Sequence, residues 1–320
     1  MSQDRILKGY EYAKEVFSDQ GIDVDKAMDA IDEVAVSMHC WQGDDVVGFD
    51  GSDSLGDGLA VTGNYPGRAR TPEELKQDVE KAMGLIPGTK RFNLHACYAE
   101  NVPQGVDRDE YTIDYFQGWA DWAKELGVGL DFNPTFFSHP MMDGNFSLAS
   151  QNDAKRKFWI EHGKRSREIA AEFGKQLGKT CVVNHWMPDG YKDTPADTEV
   201  LRALMADSLD KVIEDKLDPA LMVDSVESKL FGVGIESYTV ASHEFSLGYA
   251  ISRGILYTLD AGHFHPTEAI SNKLSAILQF VDEVLLHISR GVRWDSDHVV
   301  TWDDELKNIM NEIILNGYDK

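Results

Sequence analysis

Four groups of residues between 227 and 298 together offer four carboxylates, several imidazoles and one lysine. The groups are Glu227 with Lys229; Asp260 with His263 and His265; His287 alone; and Asp295, Asp297 and His298. An oxygen-rich set with some nitrogen donors suits hard divalent cations. Asp260 and His263 flank Ala261-Gly262, where small residues let both side chains turn towards one point without crowding. Asp295 and Asp297 stand two apart and project to one side of an extended segment, offering a pair of oxygens to one cation. Glu227 and Lys229 share a face in the same way, and the ammonium either polarises a bound oxygen or pairs with the carboxylates. A lone Asp or His at a strand end is more often a turn cap or a satisfied polar residue than a ligand, so the case for a metal site rests on several arriving together.

The elements that must deliver these groups follow from the apolar pattern. Short β-prone runs at 36–41, 91–98, 128–133, 180–186, 221–227, 255–260 and 284–289 predict seven strands. Helical spacing fills the gaps at 6–33, 71–87, 107–126, 152–177, 195–215, 242–253, 267–283 and 303–316, with Thr71-Pro72 as a cap and first-turn pair. The strands run into His39, His95, Asn133, His185, Glu227, Asp260 and His287. Regular alternation implies parallel βαβ units, and convergent polar ends are what the C-terminal face of a (β/α)8 TIM barrel produces. A doubly wound open sheet is the alternative. A closed barrel needs an eighth strand after the helix at 303–316, whereas the sequence ends at Lys320. The expectation is a single, incomplete TIM-barrel domain over 1–320, with a helical segment at 1–33 and without the eighth strand and C-terminal helices.

Composition narrows the partners. Acidic residues outnumber basic ones 55 to 31, for a net charge of -24, which repels nucleic-acid phosphates and anionic membranes. The start, Met1-Ser2-Gln3-Asp4-Arg5, does not read as an export signal, and no apolar run approaches membrane-spanning length. Cys40, Cys97 and Cys181 lie in or beside apolar runs without close-spaced partners, which predicts reduced core thiols in the cytoplasm. Residues 42–70, rich in Gly, Asp and Ser, are either a lid over the site or a surface excursion. The aromatic stripe Tyr111, Tyr115, Phe116, Trp119 and Trp122 reads as core. Gly232-Val233-Gly234 lacks the third glycine of a dinucleotide fingerprint and reads as a turn.

Longer stretches carry a resemblance. Val36-Ser37-Met38-His39-Cys40-Trp41-Gln42-Gly43-Asp44-Asp45, Asn64-Tyr65-Pro66-Gly67, Val226-Glu227-Ser228-Lys229-Leu230-Phe231-Gly232, Asp260-Ala261-Gly262-His263-Phe264-His265-Pro266-Thr267-Glu268 and Val292-Arg293-Trp294-Asp295-Ser296-Asp297-His298-Val299-Val300 closely resemble bacterial L-rhamnose isomerases. The resemblance runs from the first helix to the last residue. It implies a cytoplasmic, homotetrameric (β/α)8 barrel that interconverts L-rhamnose and L-rhamnulose with Mn2+ and a second divalent ion such as Zn2+. By motif, His263, Asp295 and Asp297 would hold the catalytic ion, and Glu227, Asp260 and His287 the structural one. Lys229 would touch substrate oxygens near the reacting carbons, and His95 and Trp186 would line the sugar pocket. Family members continue through an eighth strand that supplies a further Asp, so the resemblance implies a C-terminally shortened enzyme. The competing expectations are a shortened, inactive metal-binding fragment and a metal-dependent sugar aldolase.

Overall fold

A computed structural model describes residues 2–44, 46–51, 66–229, 237–289 and 300–318. Seven parallel strands form one sheet: β1 (Val36–His39), β2 (Lys90–His95), β3 (Gly129–Asn133), β4 (Cys181–His185), β6 (Met222–Glu227), β8 (Leu256–Asp260) and β9 (Val284–His287). A separate two-residue ribbon pairs β5 (Gly190–Tyr191) with β7 (Tyr238–Thr239). The order across the main sheet follows the order along the chain, without the reversal that defines a doubly wound sheet. That excludes the open-sheet alternative.

The sheet is also curled. Seven strands laid flat at their usual spacing would put the first and last roughly 29 Å apart. The rings of His39, ending β1, and His287, ending β9, instead lie 4.4 Å apart between centroids. Among the described residues β1 and β9 share no ladder, so the sheet is a curled, TIM-barrel-like arc whose edges approach at their C-terminal ends.

Ten α-helices accompany the sheet among the described residues. They are α1 (Gln3–Ser18), α2 (Val24–Asp32), α3 (Trp41–Asp44), α4 (Pro72–Met83), α5 (Gln117–Leu126), α6 (Asp153–Leu177), α7 (Thr198–Val212), α8 (His243–Arg253), α9 (Ser271–Ile277) and α10 (Asp304–Asn316). Thr71 accepts from the Glu74 N–H at the start of α4, which is the expected cap. Gly127, Gly178 and Gly254 end α5, α6 and α8 in the left-handed region at φ 68°, 64° and 64°, turning the chain towards β3, β4 and β8.

Two helices depart from the sequence expectation. The helix expected over 107–126 is broken into 3-10 turns at Arg108–Glu110 and Ile113–Phe116 before α5 begins. Asp107 and Thr112 accept hydrogen bonds from the backbone N–H groups of Arg108 and Asp114, and such local bonds compete with the helical ladder. The helix expected over 267–283 is confined to α9. Tyr111, Phe116, Trp119 and Trp122 of the aromatic stripe are buried, as expected of core.

Alternation along the strands divides the sheet into two chemistries. Phe92, Leu94, Leu130, Phe132 and Val183 pack outward with Trp119 and Phe173 in one apolar cluster, and Val226, Tyr257 and Leu259 pack in another. The opposite face carries polar side chains. Arg91 is paired with Asp131 at 2.7 Å, Asn184, Ser225 and Thr258 sit next along, and Glu227, Asp260 and His287 lie at the strand ends.

Candidate metal and sugar site

All seven polar residues expected at strand ends occupy the last position of their strands. Glu227, Asp260 and His287 end three consecutive neighbours in the sheet, and each offers a ligand atom within 4.8 Å of the others. Both carboxylates are buried, at 2% exposure. His287 Nδ1 lies 2.9 Å from Asp260 Oδ2 and 3.5 Å from Glu227 Oε1. His263 joins the same group: its Nδ1 is 3.0 Å from Glu227 Oε1, 3.2 Å from Asp260 Oδ2 and 2.9 Å from the Ser228 carbonyl oxygen. The tight turn after β8 brings it there, with Gly262 N–H donating to Asp260 Oδ1 at 2.7 Å and His263 N–H to the Asp260 carbonyl at 3.2 Å.

Two buried carboxylates this close need positive charge. Burial alone would push the Glu227 carboxyl up, yet its hydrogen bonds with His263 and His287 hold it below the ordinary value. Burial works against Asp260 too, and the charges of His263 and His287 carry it well below the usual range. His287 is the reciprocal case: burial would lower it, but Asp260 and Glu227 hold it well above an ordinary imidazole. Glu227, Asp260 and His287 thus bring carboxylate oxygens and an imidazole nitrogen close enough to share one divalent cation. A mixed carboxylate and imidazole set of this kind fits Mn2+ or Zn2+.

Around this cluster, Lys229 is buried and its Nζ sits 4.0 Å from the centroid of the Trp186 ring, which packs on Phe137 at 5.2 Å. Trp186 Nε1 and His39 Nδ1 are buried without a hydrogen-bond partner among the described residues. His95 is wholly buried, with Nε2 accepting from Trp41 Nε1 and Nδ1 3.3 Å from Thr135 Oγ1. Burial and the nearby His39 keep it well below the ordinary imidazole value, so it is a neutral ring. Burial, then His287, pushes His39 down to about 3.

Sequence-expected residues therefore gather unevenly. Glu227, Asp260, His263 and His287 converge, with Lys229 and Trp186 forming a cationic aromatic wall. His265 is exposed and bonds Thr267 instead of the cluster. Asp295, Asp297 and His298 lie outside the described residues, as do Gly232-Val233-Gly234 and the 52–65 portion of the 42–70 loop. Cys40, Cys97 and Cys181 are buried free thiols, pushed up by burial. Trp41, Asn184, Thr258 and Ser289 escaped the sequence reading. The signal for Asn184 and Thr258 was present, since each is a polar residue inside an otherwise β-prone run.

A curled parallel α/β sheet with a carboxylate and imidazole cluster at its C-terminal edge defines a barrel-type enzyme site. The family model for L-rhamnose isomerase (RhaA) matches residues 4–319. An L-rhamnose isomerase of Rhodopirellula baltica is 54% identical over 98% of this chain and 73% of its own length. One from Listeria monocytogenes is 54% identical over 98% of this chain and 75% of its own. Among solved structures, a D-tagatose 3-epimerase-like protein superposes with a TM-score of 0.53 at 14% identity, covering 78% of this chain and 85% of that one, and supports the fold alone. The chain belongs to the L-rhamnose isomerase family, and it is an isomerase. The chain spans about three quarters of the length of these two relatives. No helix among the described residues is long and apolar enough to cross a membrane.

Proposed function

We propose that this chain interconverts L-rhamnose and L-rhamnulose by a metal-assisted 1,2-hydride shift. The observation that carries the reading is the convergence of Glu227, Asp260 and His287 within 4.8 Å at three adjacent strand ends, in a chain of this family. Those three residues would hold the structural ion, and His263, Asp295 and Asp297 the catalytic one. Mn2+, with a second ion such as Zn2+, would supply electrophilic polarisation of adjacent carbonyl and hydroxyl oxygens.

The chain's own groups then have distinct tasks. In the aldose-to-ketose direction the hydrogen on C2 moves with its electron pair to C1, while the O2 proton leaves and O1 gains one. Negative charge grows at O1 as the hydride arrives, and the buried Lys229 ammonium is suited to donate a hydrogen bond there. Trp186 and the neutral His95 present a rigid wall and a fixed ring to the sugar. A single domain over residues 1–320, a homotetramer and a cytoplasmic setting belong to the same reading.

The test is NMR of the reaction run in deuterated water. L-Rhamnulose formed without solvent deuterium at C1 is expected. Substantial deuterium at C1 would exclude a pure hydride shift, smaller carbon fragments would indicate an aldolase, and no turnover with Mn2+ would leave the inactive-fragment reading.

A further inference from the structure

Both buried carboxylates of the cluster divide their oxygens in the same way. Asp260 Oδ1 accepts from Gly262 N–H at 2.7 Å and from the Ser289 hydroxyl, which leaves Oδ2 facing the imidazoles. Glu227 Oε2 accepts from Asn184 Nδ2, which leaves Oε1 facing the same imidazoles. Asn184 is itself fixed. Its Oδ1 accepts from Thr258 Oγ1 at 2.8 Å, and Thr258 Oγ1 lies 2.6 Å from Ser225 Oγ. Thr258 donates to the amide oxygen, so the Ser225 hydroxyl must donate to Thr258. An ionised Glu227 carboxylate can only accept, which fixes the NH2 end of the amide towards it. All four side chains are buried, and they span three adjacent strands. Polar networks buried in this way are strongly coupled, so loss of one member is felt by the others.

We infer that Asn184, held by Thr258 and Ser225, is the positioning residue of the metal site: it occupies Glu227 Oε2 so that the carboxylate presents a single oxygen. The inference rests on the proposed metal site. It differs from the ligand assignment because Asn184 touches only the back of a ligand. Partners that orient metal ligands are worth about 10- to 100-fold in affinity.

The experiment titrates chelator-treated protein with Mn2+ by calorimetry and with Co2+ by visible absorption. It compares wild type, Asn184→Leu, Thr258→Val and Thr258→Ser. Expected are affinities weaker by about 10- to 100-fold for Asn184→Leu and by a smaller factor for Thr258→Val, with Thr258→Ser close to wild type because it keeps the hydroxyl. The Co2+ band of Asn184→Leu is expected to shift as the freed Oε2 becomes available to the ion, a change that a merely loosened fold would not produce. Asn184→Leu binding as tightly as wild type with an unshifted band overturns the inference, as does Thr258→Ser behaving like Thr258→Val. Wild type that binds neither ion overturns the metal-site reading itself, which is a separate result.

Discussion

Replacing Lys229 with methionine removes the ammonium while keeping the length of the side chain packed on Trp186. If Lys229 acts on the substrate oxygen, kcat should fall about 100- to 1000-fold while metal content, measured by elemental analysis, stays as in wild type. A variant that loses metal in parallel with activity would place Lys229 with the carboxylates instead. At this scale the sequence was legible where a residue's role shows in its own neighbourhood: Asp260 and His263 share a turn, and Glu227 and His287 each close an apolar run. It marked Asn184 only as a polar residue inside a β-prone run, because its role depends on Glu227, a partner 43 positions away. His265 shows the opposite failure, since the same His-x-His that carries His263 inward leaves its neighbour exposed.

Helix α6 decides how closely the outer layer approaches the sheet. A Cβ on Gly174 would meet the Leu221 carbonyl oxygen, just before β6, at 1.9 Å. Alanine is favoured over glycine inside a helix by about 1 kcal/mol, but a backbone clash of that size must displace the helix or the strand, and overpacking costs about 1–3 kcal/mol. Gly174→Ala should therefore lower stability in urea unfolding despite its better propensity. A gain in stability would show that α6 does not sit as closely as described. The same helix carries Arg167, whose guanidinium bonds both oxygens of Asp224 at 2.9 and 3.0 Å, while Asp224 in turn meets His185 at 2.8 Å. Arg167→Met would leave Asp224 buried beside one imidazole, at an expected cost of about 3–5 kcal/mol. Adding Asp224→Asn should recover part of that loss. Elements were readable in the sequence wherever period and caps agreed, as in α4 with Thr71 and Pro72. They were not where Asp107 and Thr112 turned their side chains onto the backbone.

The whole molecule excludes protons from several buried histidines. His162 is pushed down to about 4 by burial and then by Arg108, against the pull of the Pro134 and Arg108 carbonyls. A depressed folded-state value contributes stability that is present above the unfolded value and lost as pH falls through the folded one. For His162 the window runs from 6.5 down to about 4 and corresponds to about 3 kcal/mol. Urea unfolding across that range should show stability falling with acid, and His162→Gln should flatten part of the slope. An unchanged slope would mean that His162 is not held neutral in the folded chain. Curling of the sheet also belongs to this scale. Local alternation cannot distinguish an arc from a flat sheet; the distinction appears only in the strand order and in the contact of His39 with His287.

The dependence of sugar isomerisation on a metal cluster built on Glu227 underlies the proposed function. It is tested most directly by assaying L-rhamnose conversion on metal-free wild type, Mn2+-reloaded wild type and Mn2+-treated Glu227→Gln. Conversion is expected only in the reloaded wild type, with the other two reduced by at least about 1000-fold. Full turnover by verified metal-free protein, or by Glu227→Gln, would contradict the account.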